Sequence, residues 1–536
     1  MSRRPKILGG ERRRDLAVLV ALSFGQAGAM VATAFATRDV FVVLRGGGEA
    51  MPIGALISIA AGGLTLFACR ALEGRVGERA GQSYAAEIRR ALFLHVSQMP
   101  LSAVARRRSG ALALRYVGDL AAFKGWIARG LSRLISALIT IPSALVVLYL
   151  LEPLLLVAAI GPLCAVMAGI LVMSAPLGHA HSDLRSRRAR LAAAMAERLP
   201  QGIQLRRSGR LRTELRALKG WSGEVAKAGV RRESLAAAVR ALPDAGAGLA
   251  GALCLGACVH LGLGIPEAVA ALTALTLVAW PLRQLADVAD RRRGFLVASA
   301  KLDRLLDAPR MPALGRPGGR PNAPAIRVDA AEMPGGTRLD FVLEQGGCRR
   351  LAGPQGSGKS ALLLTLAGFD APIPARRIQV FGRAPGALAP GEVLYLGRPA
   401  PGLAGSLRRE ATLGIGRRPD DAEIQGALEA AALGAAVARI GGLAGKVAEG
   451  RRNLTASEQA GLLLARGLLA RPKLALVDAD EIGLGRKELG RLLDHLTSLG
   501  AAVLIVTSDA EAALRLGPAI LLERGLAPAL KAECDL

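Results

Sequence analysis

The amino-acid sequence predicts two folds in one chain: an all-α domain of six membrane-crossing helices, then an α/β domain. Three observations carry that prediction. Apolar segments of bilayer length recur through residues 1–308; a stretch rich in Pro, Gly and Arg interrupts the chain over 309–324; and from 325 to 536 short β-type runs alternate with helical ones around a glycine-rich loop. With 536 residues, 51% hydrophobic and 21% charged, the chain is too long for one domain and too apolar for an ordinary soluble enzyme.

The spans read as Leu16 to Thr37, Met51 to Cys69, Leu134 to Leu151, Leu154 to Ala175, Ala245 to Leu263 and Ile265 to Leu282. Each is near the roughly 20 residues that cross a bilayer as a helix, and a helix satisfies its own backbone where lipid cannot. Basic residues orient them. Arg3, Arg4, Lys6, Arg12, Arg13 and Arg14 precede the first span; Arg106, Arg107 and Arg108 follow the second; Arg185, Arg187, Arg188 and Arg190 follow the fourth; Arg291, Arg292 and Arg293 follow the sixth. All fall on one side, while the opposite connections hold only Arg38, Arg45, the Glu152-Pro153 corner and a turn at Gly264. The positive-inside rule puts both termini and the glycine-rich loop in the cytoplasm of an integral membrane protein, as in a bacterial inner membrane. Two cytoplasmic connections, Arg70 to Arg133 and Leu177 to Asp244, carry helical periodicity, so the helices are expected to continue beyond the bilayer.

A net charge of +27 raises nucleic acid as a partner, but arginines beside span ends and only 3% aromatic residues favour anionic lipid. Polar residues in or near spans are Gln26, Arg240, Asp244 and His260; Arg240 and Asp244 flank Pro243, where a kinked helix would pair them. Cys254 and Cys258 lie on one apolar helix face and read as packing, because no histidine or carboxylate nearby completes a metal site.

Function is carried by Gly353-Pro354-Gln355-Gly356-Ser357-Gly358-Lys359-Ser360, a complete G-x-x-x-x-G-K-[ST] loop leading through Ala361 into a helix over Leu362 to Leu366. The glycines let backbone N–H groups turn toward phosphate oxygens, Lys359 reaches the β and γ phosphates, and Ser360 holds Mg²⁺. Further on, Leu474-Ala475-Leu476-Val477-Asp478 reads as a buried parallel strand ending in a carboxylate, the second Mg²⁺ contact of such enzymes. The second half is thus expected to be a P-loop nucleotide-binding domain using ATP and Mg²⁺, with strand pieces at Ala325 to Val328, Leu339 to Leu343, Val393 to Leu396, Leu474 to Val477 and Val503 to Val506.

Six spans, long cytoplasmic connections, a helix ending in Arg304-Leu305-Leu306-Asp307 and then a P-loop domain resemble an ABC exporter half-transporter over essentially the whole chain. Val447 to Thr455 looks like the stretch entering that family's signature sequence, and Leu464 to Pro472 like the helix and turn after it. The resemblance implies coupling helices in the two long connections. It also implies a dimer in which each nucleotide lies between one chain's P-loop and the other's signature.

Departures from the family pattern are concentrated at catalytic positions. The signature, commonly L-S-G-G-Q, stands as Leu454-Thr455-Ala456-Ser457-Glu458, without its two glycines. Ala479 replaces the glutamate after the strand-end aspartate, Ser508 replaces the switch histidine, Arg398 replaces the glutamine-loop residue and Gly485 the D-loop aspartate; no aromatic marks an adenine stack over Ala331 to Pro334. ATP binding is expected to persist while hydrolysis is slow, since a general base contributes about 10²- to 10⁴-fold. Three readings stay open: the degenerate half of a heterodimeric exporter, a non-hydrolysing ATP-binding regulator or scaffold, and a homodimeric exporter with Glu481 as base. Asp480 is the other carboxylate a shifted turn would offer.

Overall fold

The computed structural model describes residues 4–45, 51–105, 120–315, 322–332, 338–369, 377–398, 402–509 and 516–522. Two compact units divide them: 4–97 with 120–308, and 98–105 with 309–522.

The first unit is helical throughout. Its elements are α1 (Arg12–Arg45), α2 (Ile53–Val96), α4 (Leu120–Gly125) running through a π-helical turn (Trp126–Leu131) into α5 (Ser132–Leu151), α6 (Pro153–Arg198), α7 (Gly202–Arg207), α8 (Leu211–Leu261) and α9 (Ile265–Leu306); α3 (Leu101–Ala105) falls in the second unit. Six of these helical stretches are long and apolar enough to cross a membrane. Each coincides with one of the six spans read from the sequence, though Met51 and Pro52 precede α2 and Gly262 and Leu263 follow α8, and α2, α6 and α8 extend well beyond the apolar part. The corner between α5 and α6 follows from Pro153: Glu152 is extended (φ −168°, ψ 125°), as a residue before proline prefers, and Pro153 opens the next helix where its missing N–H costs nothing.

Close packing in this unit relies on small residues. Gly77 of α2 lies against the π-helical turn, where a Cβ would stand 2.4 Å from the Ala128 carbonyl oxygen. A buried polar layer joins three helices: Gln26 donates to Glu73 at 2.9 Å and accepts from Ser136 at 3.4 Å. Arg70 lies over the Trp280 ring at 3.9 Å, and Arg133 pairs with Asp287 at 2.6 Å. The expected Arg240–Asp244 pair is not formed. Arg240 pairs with Glu233 and Asp244 with Arg283 at 3.0 Å, because α8 stays helical through Pro243 and both residues find carboxylate or guanidinium partners elsewhere. Cys254 and Cys258 are buried, and no group of metal-binding side chains occurs among the described residues.

In the second unit, β1 (Ile326–Glu332) pairs antiparallel with β2 (Arg338–Leu343) and with β4 (Ile378–Val380). A five-stranded parallel sheet runs in the order β10-β3-β9-β8-β5, from β3 (Cys348–Ala352), β5 (Val393–Leu396), β8 (Leu474–Asp478), β9 (Ala502–Val506) and β10 (Gly517–Leu521). Residues of β8 and β9 are buried along their whole length, hence their unbroken apolar runs. Around them pack α10 (Lys359–Leu366), α11 (Leu407–Ala411), α12 (Asp421–Ala430), α13 (Gly434–Ile440), α14 (Ala456–Leu469), α15 (Ala479–Ile482) and α16 (Arg486–Ser498), with the short pair β6 (Gly405–Ser406) and β7 (Lys446–Val447). α3 belongs here too: Leu101 N–H donates to the Phe369 carbonyl at 2.8 Å, and Met311 N–H to that of Gln98 at 2.6 Å.

Candidate functional site

Because the central strands are parallel, the loops after β3, β5, β8 and β9 all emerge at one edge of the sheet, where α/β folds place ligands. The loop after β3 is the glycine-rich one. Gly353 has φ 155°, and a Cβ there would lie 2.5 Å from the Leu522 carbonyl; Gly358 turns into α10 with φ 93°, a left-handed value that favours glycine. The structure starts α10 at Lys359, three residues before the expected Leu362, because Gly358 supplies the turn that seats it.

Lys359 Nζ donates to the carbonyls of Gly353 at 2.8 Å and Pro354 at 2.9 Å, folding its charge back across the loop. Ser360 Oγ donates to Asp478 Oδ2 at 2.6 Å, so the two candidate Mg²⁺ contacts meet although 118 residues separate them. Buried Ser357 Oγ has no hydrogen-bond partner among the described residues. An orphaned buried hydroxyl, inward-turning glycines and an amine above a cavity of about 640 Å³ fit the phosphates of a nucleotide. Gly353, Gln355, Gly356, Gly358, Lys359, Ser360, Ala361, Asp478, Asp480, Glu481 and Val506 line that cavity.

The catalytic positions around it are differently arranged. Ala479 is 4% exposed and opens α15. Ser508, just past β9, gives its backbone N–H (2.8 Å) and hydroxyl (3.0 Å) to Asp480. Burial, then the Asp478 charge, pushes the Glu481 carboxyl above the usual range. Gly485 caps α16 in extended conformation.

Tyr395 was not singled out by the sequence, where it is one of four residues in an apolar strand. Its hydroxyl donates to the Arg398 carbonyl at 2.7 Å and its ring meets Phe369 edge to face at 5.6 Å. Alternation in β5, with Leu394 and Leu396 buried and Tyr395 only partly so, is the signal that places it near the strand-end loop.

The signature region forms the start of α14. Thr455 Oγ1 accepts the Glu458 N–H at 3.2 Å, and the Glu458 carboxylate accepts the Thr455 N–H at 2.8 Å, a complete capping box. Arg439 grips both Glu458 oxygens at 2.8 and 2.9 Å, and the Thr455 and Ser457 hydroxyls lie 3.2 Å apart. Ala456 is the first helical residue and Leu454 is buried. Of the stretch Ala331 to Pro334 read for an adenine stack, Ala331 and Glu332 end β1, while Met333 and Pro334 lie outside the described residues, as do Arg3 and Arg106 to Arg108.

Known proteins share this arrangement. The family model of the ABC transporter transmembrane region matches residues 16–201. The thiamine import ATP-binding protein ThiQ of Chelativorans sp. (strain BNC1) is 32% identical over 207 residues, covering 37% of this chain and 82% of that protein. The chain belongs to the ABC transporters. The mycobactin import ATP-binding/permease protein IrtB of Mycolicibacterium thermoresistibile is 28% identical over 251 residues, 44% of this chain and 42% of that relative, so the match spans well under half its length. A solved bacterial Atm1-family ABC exporter with ATP bound shares the fold, with TM-score 0.82 at 18% identity over 96% of this chain and 94% of that one. This ABC transporter therefore has the fold of an ABC exporter and is an integral membrane protein, with its transmembrane region and ATP-binding domain on one chain.

Proposed function

We propose that this half-transporter is the catalytically degenerate subunit of a heterodimeric ABC exporter in a bacterial inner membrane, with both termini and the ATP-binding domain cytoplasmic. One observation carries the reading: Ser360 and Asp478 meet at 2.6 Å beneath the glycine loop, while the adjoining position is a buried Ala479. Gly353 to Ala361 would hold the phosphates, with Lys359 as the cation, and Ser360 and Asp478 would hold Mg²⁺, which neutralises phosphate charge when bound. A water-orienting carboxylate is missing next to Asp478, so ATP would be held far longer than it is cleaved. The partner half-transporter supplies the competent glutamate and histidine, and its own nucleotide faces Leu454 to Glu458 of this chain.

Purification of the tagged chain from native membranes, followed by intact mass and ATP turnover, tests this. A 1:1 complex with a second half-transporter is expected, with turnover lost when the partner's glutamate is replaced. A complex of this chain with itself alone overturns the heterodimer.

A second reading, a homodimer using Glu481 as base, draws support from the place of Glu481 in the cavity wall. Against it, Glu481 stands three residues beyond Asp478 on α15, an offset that moves the carboxylate out of line with the strand-end aspartate. Measurable hydrolysis by the pure chain that vanishes in Glu481→Gln would favour it.

A further inference from the structure

The phosphate cavity is one-sided in charge. Among the described residues lining it, Lys359 is the only cation, and the carboxylates of Asp478, Asp480 and Glu481 stand against it. Asp478 is engaged by Ser360 at 2.6 Å and has its place in holding Mg²⁺. Asp480 is engaged differently: its Oδ1 accepts both the Ser508 N–H at 2.8 Å and the Ser508 hydroxyl at 3.0 Å, and no amine or guanidinium pairs with it among the described residues. The next residue of the loop after β9 is tied as well. Arg486 of α16 donates to Asp509 at 3.1 Å, and the Asp509 N–H donates to the Thr507 hydroxyl at 3.1 Å. Protein groups alone thus fasten this loop. Both donors that Ser508 could offer a terminal phosphate are already taken, and the group that takes them adds a negative charge to the cavity wall.

We propose that Asp480 is a specificity-determining residue that leaves this site indifferent to the third phosphate of its nucleotide, so that ATP and ADP bind alike. This inference rests on the ATP-binding reading above. The glycine loop and the start of α10 suffice for the first two phosphates. What a third gains from Lys359 and Mg²⁺ it loses to Asp480 and Glu481, because like charges brought together repel. Both carboxylates are exposed on the cavity wall, so water and salt screen that repulsion and its effect is moderate.

D480N keeps an acceptor for both Ser508 donors and removes the charge. S508A keeps the charge and loses only the hydroxyl bond, so the two variants separate electrostatics from the tether. The test is competition of ATP and of ADP, each with Mg²⁺, against a fluorescent ADP analogue on the full-length protein in lipid nanodiscs, counting only the binding that Lys359→Ala abolishes. Wild type and S508A are expected to bind ATP and ADP within about threefold of one another, and D480N to favour ATP by about tenfold. A ratio of two affinities cancels any general loss of stability in a variant, so a purely structural role for Asp480 would not move it. A wild type that favours ATP by more than about threefold, a D480N protein with the wild-type ratio, or an S508A protein that shifts as far as D480N overturns the proposal and leaves nucleotide binding standing. If Lys359→Ala abolishes no binding, the ATP-binding reading falls and the proposal with it.

Discussion

Glu410 is fully buried, 0% exposed, and its carboxylate accepts from Arg451 Nε at 2.9 Å, Arg466 at 3.1 Å and the Leu403 N–H at 2.9 Å. Burial, then repulsion from Arg451, pulls Arg466 down to about 10, and the Glu410 charge works against that fall. Glu410→Gln keeps the shape and one acceptor but removes the charge. Breaking a buried pair costs about 3–5 kcal/mol, and because the two guanidinium side chains are only 4% and 8% exposed, solvent offers little relief. For a unit of this size that corresponds to a loss of roughly 6–20 °C in melting temperature. Trp126, Trp221 and Trp280 all lie in the first unit, so tryptophan fluorescence would miss the transition. Release of a bound fluorescent ATP analogue on heating, or hydrogen exchange along α14, reports the right region. A triple replacement by apolar residues of similar volume, E410L with R451M and R466M, should recover much of the loss. A shift under about 2 °C for E410Q would refute the claim that this triad anchors α11 to α14.

Restoring the missing carboxylate with A479E should raise ATP turnover in the assembled transporter by less than the full ~10²- to 10⁴-fold of a general base, because Ser508 and the signature remain altered; single-turnover kinetics would measure it. Burial holds His495 below the usual histidine range, so the unfolded chain takes up a proton first as pH falls below about 6.5 and stability drops with acidification; H495Q should flatten the melting temperature between pH 7 and 5. G77A should destabilise the first unit, since its Cβ meets the Ala128 carbonyl at 2.4 Å and backbone must move; loss of the folded species in detergent gel filtration would show it, whereas G74A, where nothing lies within 4 Å, should be silent.

The spans were legible because lipid demands unbroken apolar runs, and β8 and β9 because strands buried on both faces read as continuous Leu, Ala and Val. β3 was missed as a named strand although it delivers the P-loop: Arg349 and Arg350 interrupt its apolar run, and the strand is mostly half-buried. β4 and β10 escaped for being short or glycine-led. Within the site, the loop, Lys359, Ser360 and Asp478 could be read because phosphate chemistry fixes residue type and spacing. The roles of Tyr395 and of the Arg398 backbone could not, since main-chain hydrogen bonds and ring packing leave no signature in side-chain identity. The Arg240–Asp244 pairing failed for a related reason: spacing along one helix says nothing of the Arg283 that α9 brings alongside.

The buried layer of Gln26, Glu73 and Ser136 bears on how the first unit is assembled. Two apolar helices in lipid can slide past one another with little change in energy, since one leucine fits a groove about as well as the next. An amide facing a carboxylate cannot: a displacement of one turn, about 5.4 Å, would leave both buried groups without their partner. With a 2.9 Å bond between α1 and α2 and a further link to α5, the layer acts as a detent that selects a single alignment of the three helices. Its cost in stability would be repaid in uniqueness, and replacing Gln26 and Glu73 together by leucine should yield a bundle that is no less robust but populates more than one alignment.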